Sequence, residues 1–368
     1  MAIEEEAAYN RGGVDNQDNQ QAEDLGDGRH IDPALGSLTG EAAGQLHEVA
    51  RSHPDREAPP VWQQVPSQPP NGGESPTYYD RPVIKEPVWI WTVPLYFFVG
   101  GAGGAAAVLG AVAQLLGGAS LRGLVRRCRW LGAFGANLGA LLLIYDLGRP
   151  ERFYNMLRVF RPTSPMSVGS WILIGAGGVM SVAALLERSR GWLHRIGNGA
   201  GVLSGLFGVG LIGYTGVLLT NSVVPIWLTA QRSLPVLFIT SGMASAAALL
   251  ELMTLTSRER KIVQRFGQVG RMAETVAALV FEHNAEQITR VGRPLKEGVS
   301  GQLWKGSKLL SLVGLALGWL PGNGRGQRTV AALCTAMGAL LLRYAITEAG
   351  KASARDPRAT FQQQRLTP

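Results

Sequence analysis

Hydrophobic and polar positions divide this chain into two populations. Residues 1 to about 80, opening MAIEEEAAYN, pass through Gln, Asp, Gly, Pro and Ser with neither a helical nor a strand period. Such a segment buries too little apolar surface to offset its conformational entropy, so residues 1–80 are expected to be disordered or ordered only on a partner. From Val88 the character reverses. Apolar runs of about 18 residues or more, enough to cross roughly 30 Å of hydrocarbon, recur along the rest of the sequence. They predict eight spans, at about 88–116, 124–145, 168–187, 196–220, 234–256, 268–285, 304–320 and 327–347. The sixth is the most interrupted, by Glu274, Glu282 and His283. The expected fold class is an all-α integral membrane protein of eight transmembrane helices, with a membrane domain over 81–350 and a polar C-terminal tail over 351–368. An even number of spans puts both termini on one side.

Aromatic and small residues refine this picture. Tyr78, Tyr79, Trp89, Trp91 and Tyr96 crowd the start of the first run, as at a membrane interface. Glycines recur inside the spans at four-residue steps, Gly100 to Gly104, Gly135 to Gly139 and Gly201 to Gly205. Small residues at that spacing let helix backbones approach closely in lipid, which predicts a tightly packed bundle. Gly208 to Gly213 matches GxGxxG, but it lies inside an apolar helix rather than after a strand, and reads as helix packing rather than a dinucleotide site.

Charge changes the picture less than its sum suggests. The net charge is +8, yet the basic residues cluster in short connections, as at Arg122, Arg126, Arg127 and Arg129. That is a signature of topology and lipid headgroups, and no basic face or reader motif points to nucleic acid. Lys and Arg counts alone do not decide the side. If the arginines between the second and third spans serve a site and are discounted, the termini face outward. No basic and then apolar leader opens the sequence, so no cleavable signal is expected. Cys128 and Cys334 lie far apart outside any CxxC pair, which excludes a thiolate-held cluster built from this chain alone. His30, His47 and His53 fall in the polar segment and read as solvated. A haem held in the membrane needs facing histidines, and His283 is the single one within a predicted span, with His194 in a connection.

Candidate chemistry concentrates in Tyr145–Trp171, YDLGRPERFYNMLRVFRPTSPMSVGSW, between the second and third spans. A simple turn needs a few small polar residues. This stretch carries Asp146, Arg149, Glu151, Arg152, Arg158 and Arg161 among aromatics and prolines, as a site at a membrane surface would. Asp146 closes an apolar helix, where a buried carboxylate is costly unless paired, and Arg149 can pair with it if the helix continues one more turn. Two readings stay open: a helix-end ion pair, or a base that takes protons from a lipid-soluble redox substrate. Tyr145 and Tyr214 supply phenolic donors of the kind a quinone carbonyl needs. Glu251, Glu274, Glu282 and His283 form a second set, read either as a proton relay or as groups reaching interfacial water.

Taken together, YYDRPVIKEPVWIWTVPLYFFVGGAGG, the DLGRPERFYNMLRVFRPTSPMSVGSW stretch, GYTGVLLTNSVVPIW with LPVLFITSG, and LLRYAITEAGKASARDP resemble the NrfD/PsrC (polysulfide reductase) family of membrane subunits. The resemblance covers about residues 78–357, nearly all of the membrane part and none of the N-terminal segment. It implies two four-helix bundles, no haem or metal in this chain, and an exchangeable menaquinol or ubiquinol near the termini side. It also implies a four-cluster ferredoxin-type iron-sulfur subunit docked on that side, normally periplasmic, and a molybdopterin catalytic subunit beyond it. Carried onto this sequence, the quinol-contacting candidates are Asp146, Arg149 and Tyr214, with Trp91 and Tyr96 from the first span. Polysulfide-reductase-like members carry an asparagine and a histidine at the start of the first span, and this sequence has neither there. A proton- or ion-translocating module and a purely structural anchor are the alternative functions.

Overall fold

The computed structural model describes residues 30–32, 37–39, 83–320 and 324–366. The protein forms two units, residues 1–77 and 78–368. In the first, β1 (His30–Asp32) pairs antiparallel with β2 (Ser37–Thr39), Ile31 opposite Leu38, a short hairpin in a segment without a strand period. The other expectations for residues 1–80, including those for Tyr78, Tyr79, His47 and His53, lie outside the described residues.

The second unit is helical. Its long elements are α1 (Thr92–Leu116), α2 (Arg122–Asp146), α4 (Pro165–Leu185), α5 (Trp192–Thr220), α7 (Ser233–Glu251), α8 (Ser257–Glu286), α10 (Gly298–Trp319) and α11 (Arg325–Arg355). Among the described residues, the short helices α3 (Phe153–Arg158), α6 (Pro225–Thr229) and α9 (Thr289–Gly292) lie between them, and α12 (Pro357–Leu366) follows α11. Local chemistry sets several of the ends. The Ser164 side chain accepts from the Ser167 N–H with Pro165 at the first helical position of α4, and Thr256 and Glu259 form a capping box at the start of α8. Gly148, at φ +66°, ends α2 in a left-handed turn.

Six helical segments, 92–116, 118–146, 165–188, 192–220, 233–251 and 325–355, are long and apolar enough to cross a membrane. The protein is a multi-pass membrane protein. Helices α8 and α10 fill the sixth and seventh predicted segments but are less apolar. The polar stretch expected as a C-terminal tail is instead the end of α11 followed by α12, with Ala354, Ala359 and Thr360 buried.

Helix α1 is the hub, packed on α2, α5, α7 and α11. Its sequence explains this, because glycine removes the side chains that would hold backbones apart. A Cβ on Gly103 would stand 3.0 Å from the Gly135 Cα of α2, and one on Gly104 would stand 2.9 Å from the Gly208 carbonyl oxygen of α5. The GxGxxG glycines do serve packing: Gly208 meets α1, Gly210 meets Ile172 of α4, and Gly213 meets Ile239 of α7. Elsewhere α4 packs on α2 and α5, α8 on α7, and α10 on α11.

Candidate functional site

Asp146 ends α2 beside the start of α1. Its Oδ1 accepts from the Ile90 N–H at 3.3 Å and from the Thr92 hydroxyl at 3.2 Å. Arg149 does not pair with it. The left-handed turn at Gly148 stops the helix, Arg149 continues in extended backbone, and its side chain is exposed. The expected ion pair is therefore replaced by two neutral donors from the start of α1. Tyr145 is 66% exposed and its neighbour Asp146 only part-buried, so this end of α2 is accessible from outside the bundle.

One helical turn deeper, about 6 Å along α1, Tyr96 shares the face of Thr92. It is fully buried, its ring rests on Gly100 and Gly139, and its hydroxyl has no hydrogen-bond partner. The Tyr214 phenol of α5 lies within electrostatic reach of it, packed so closely on Gly169 of α4 that a Cβ there would fall inside the ring. Asp146, Thr92, Tyr96 and Tyr214 thus form a polar column running inward between α1, α2, α4 and α5. Trp91 is not part of it. The residue is 57% exposed, and its carbonyl accepts from the Tyr344 hydroxyl of α11 at 2.9 Å. Trp89 is the aromatic that turns inward, stacked on Trp227 at 5.5 Å.

Above the column, the 145–171 connection is folded on itself. The Ser167 hydroxyl donates to the Val159 carbonyl and accepts from the Arg161 N–H, and Phe160 meets Trp171 edge-on at 6.2 Å. Arg149, Glu151, Arg158, Arg161 and Tyr154 stay exposed.

The second candidate set does not form one line. Glu251 of α7 faces Arg271 of α8 at 3.6 Å, and Arg271 also donates to the Thr335 hydroxyl of α11 at 3.4 Å. Glu274, one turn along α8, is buried with both carboxylate oxygens unpartnered, close to the Ser241 hydroxyl and within electrostatic reach of Arg343. Arg343 of α11 is buried too. It donates to the Phe238 carbonyl at 3.0 Å and covers the Phe238 ring at 3.9 Å. Glu282 is apart from these, held by Lys308 of α10 at 2.7 Å, and His283 is exposed. Among the described residues no three His, Cys, Asp or Glu side chains converge.

Sequence reasoning misses three arginines. Arg129 reads as part of a basic connection, and neither Arg271 nor Arg343 is singled out, yet all three are at most 5% exposed. Arg129 donates to Gln114 and Asn198, each at 2.9 Å, and to the Ala183 carbonyl, which ties α2 to α1, α5 and α4. The available signal is position: Arg343 follows three leucines, and Arg271 is three residues from Glu274 on the same helical face.

The family profile for polysulfide reductase of the NrfD kind matches residues 77–355, most of the sequence. The chain belongs to that family. Among its relatives is Protein NrfD of Escherichia coli strain K12, 27% identical over 310 residues, or 72% of this protein and 95% of the relative. Another is the C component of the polysulfide reductase of Wolinella succinogenes, 26% identical over 176 residues, or 43% of this protein and 55% of the relative. The family match reaches from just before α1 to the last residues of α11, so it takes in both the Asp146 column and the buried charges.

Proposed function

We propose that this chain is the quinol- or quinone-binding membrane subunit of a multisubunit respiratory oxidoreductase, without haem or metal of its own. It exchanges electrons with a four-cluster ferredoxin-type iron-sulfur subunit, beyond which a molybdopterin-type subunit carries out catalysis. The family membership and the name of one relative, a component of polysulfide reductase, support a place in such a complex. The observation that carries the site is the column from Asp146 to Tyr214. A part-buried carboxylate bound only by neutral donors stands one turn above a buried, unpartnered tyrosine hydroxyl. That combination suits a ligand with hydroxyl or carbonyl oxygens on an apolar body: Asp146 accepts the proton released on oxidation, and Tyr96 and Tyr214 bind oxygen. Arg149 and the other exposed arginines of the 145–171 connection face the docked partner.

In this reading α8 and α10 also cross the membrane, giving eight spans as two four-helix bundles. The support comes from the inverted faces of α8. Val269, Met272, Val276 and Leu279 point outward at 48–60% exposure, whereas Arg271 and Glu274 point inward. A water-facing helix has the opposite arrangement. The location is then the inner (plasma) membrane, with the Asp146 side periplasmic.

The test is steady-state turnover of a quinol analogue on matched amounts of assembled complex. Asp146→Asn is nearly isosteric and should slow turnover by about 10² to 10⁴, the usual contribution of a general base. Unchanged turnover would remove Asp146 from the chemistry. A second reading, proton translocation, draws on the buried Glu251–Arg271 and Glu274–Arg343 groups, whose unpartnered polar atoms call for internal water. In sealed vesicles Glu274→Gln should then lower proton release per electron while leaving quinol oxidation itself intact.

A further inference from the structure

On the outer surface of α7 and α8, away from the column, lies an open groove of about 780 Å³. Its walls are aliphatic, including Val236, Met272 and Val276, each about half exposed. Its polar groups gather at one end. Arg232, just before α7, and Asn284, near the end of α8, meet there, at the end of the helices where α2 presents Asp146. Along α8 the lining runs from Val269 to Asn284, a rise of about 22 Å, more than the roughly 15 Å depth of one leaflet's hydrocarbon. Arg232 is exposed and forms no ion pair among the described residues, whereas the nearby surface cations Arg293, Lys296 and Lys308 are each paired to a glutamate.

We propose that this groove is a binding site for an anionic phospholipid, with an acyl tail along α8 and the phosphate on Arg232. The charge decides the occupant. An unpaired guanidinium at headgroup level favours a phosphate through charge-assisted, often bidentate hydrogen bonds. A neutral isoprenoid or a purely apolar helix would leave that cation unmatched at the groove's end.

The test uses the full-length protein reconstituted in vesicles of equal parts phosphatidylglycerol and phosphatidylcholine, then extracted in mild detergent, with the retained phospholipid quantified by headgroup. The unmodified protein should retain phosphatidylglycerol over phosphatidylcholine by about fivefold, the effect of one interfacial arginine. Arg232→Gln, at an exposed position where folding is not at stake, should abolish the preference while lipid is still retained. Val276→Trp should fill the groove and lose retained lipid of both kinds. Arg195→Gln, exposed at the other end of the helices, should behave as the unmodified protein. Equal retention of the two headgroups would overturn the proposal, as would an Arg195→Gln loss matching that of Arg232→Gln. A partner's helix cross-linking to position 276 in the native complex would do so as well.

Discussion

Two carboxylates of this protein sit in opposite circumstances. Asp146 stands at an accessible helix end, with two neutral donors of a neighbouring segment on one oxygen. Glu274 stands in the middle of α8, fully enclosed, beside the Ser241 hydroxyl and with arginines as its electrostatic neighbours. The first is only part-buried and held by two hydrogen bonds, so replacing it should cost the fold little. The second is enclosed, so substituting it or a neighbouring arginine leaves the remaining buried group without its compensation. Removing charge at Asp146 should therefore be felt in turnover, and removing charge around Glu274 in stability.

The largest effect on stability is expected for Arg343→Met, which strips Glu274 of its neighbouring cation. It should cost about 3–5 kcal/mol, measured by reversible unfolding in mixed micelles, whereas Asp146→Asn should cost under about 1 kcal/mol. A loss at Asp146 equal to that at Arg343 would erase the contrast between the two regions. Next comes the double variant Arg343→Met with Glu274→Gln. If the two groups are energetically coupled, the second substitution should recover about 1–3 kcal/mol of the first loss, and strict additivity would show them independent. Thr92→Val removes one of the two donors to Asp146 and should cost about 0.6 kcal/mol, the average for a hydrogen bond within a membrane. Smallest is Lys308→Gln. The Lys308–Glu282 pair is partly exposed, at 33% and 21%, so solvent screening should hold the loss to the low end of the usual range of about 0–1 kcal/mol.

The helical framework is readable because apolar run length and glycine spacing are properties of the sequence itself. Gly104, Gly135 and Gly205, each from one of the four-residue steps, lie where α1 meets α2 and α5, the close packing that such spacing anticipates. Asp146 is readable as a candidate because a charge closing an apolar run is conspicuous. Its partners are not, since Ile90 and Thr92 are more than fifty residues away and only the packing of α1 on α2 brings them near. The arginines mislead for a related reason. A charge near the end of an apolar run counts as surface until the direction of its helix face is known, and in α8 that face turns inward. The expected Asp146–Arg149 pair fails on one residue: Gly148 takes a positive φ and ends the helix before the next turn can form.

Helix α1 also constrains how the protein is made. Emerging early from the ribosome, it exposes to lipid a glycine- and alanine-rich surface whose cover arrives with α2, α5, α7 and finally α11. The last of these closes on the first through a hydrogen bond from Tyr344 to Trp91, 253 residues apart, and a two-point contact between Arg355 and Glu86. During synthesis the bundle therefore waits, open on one side, until its final helix has been translated. Truncation within α11 should then leave a nascent polypeptide that inserts into the membrane yet never closes, the kind of substrate that quality-control proteases remove.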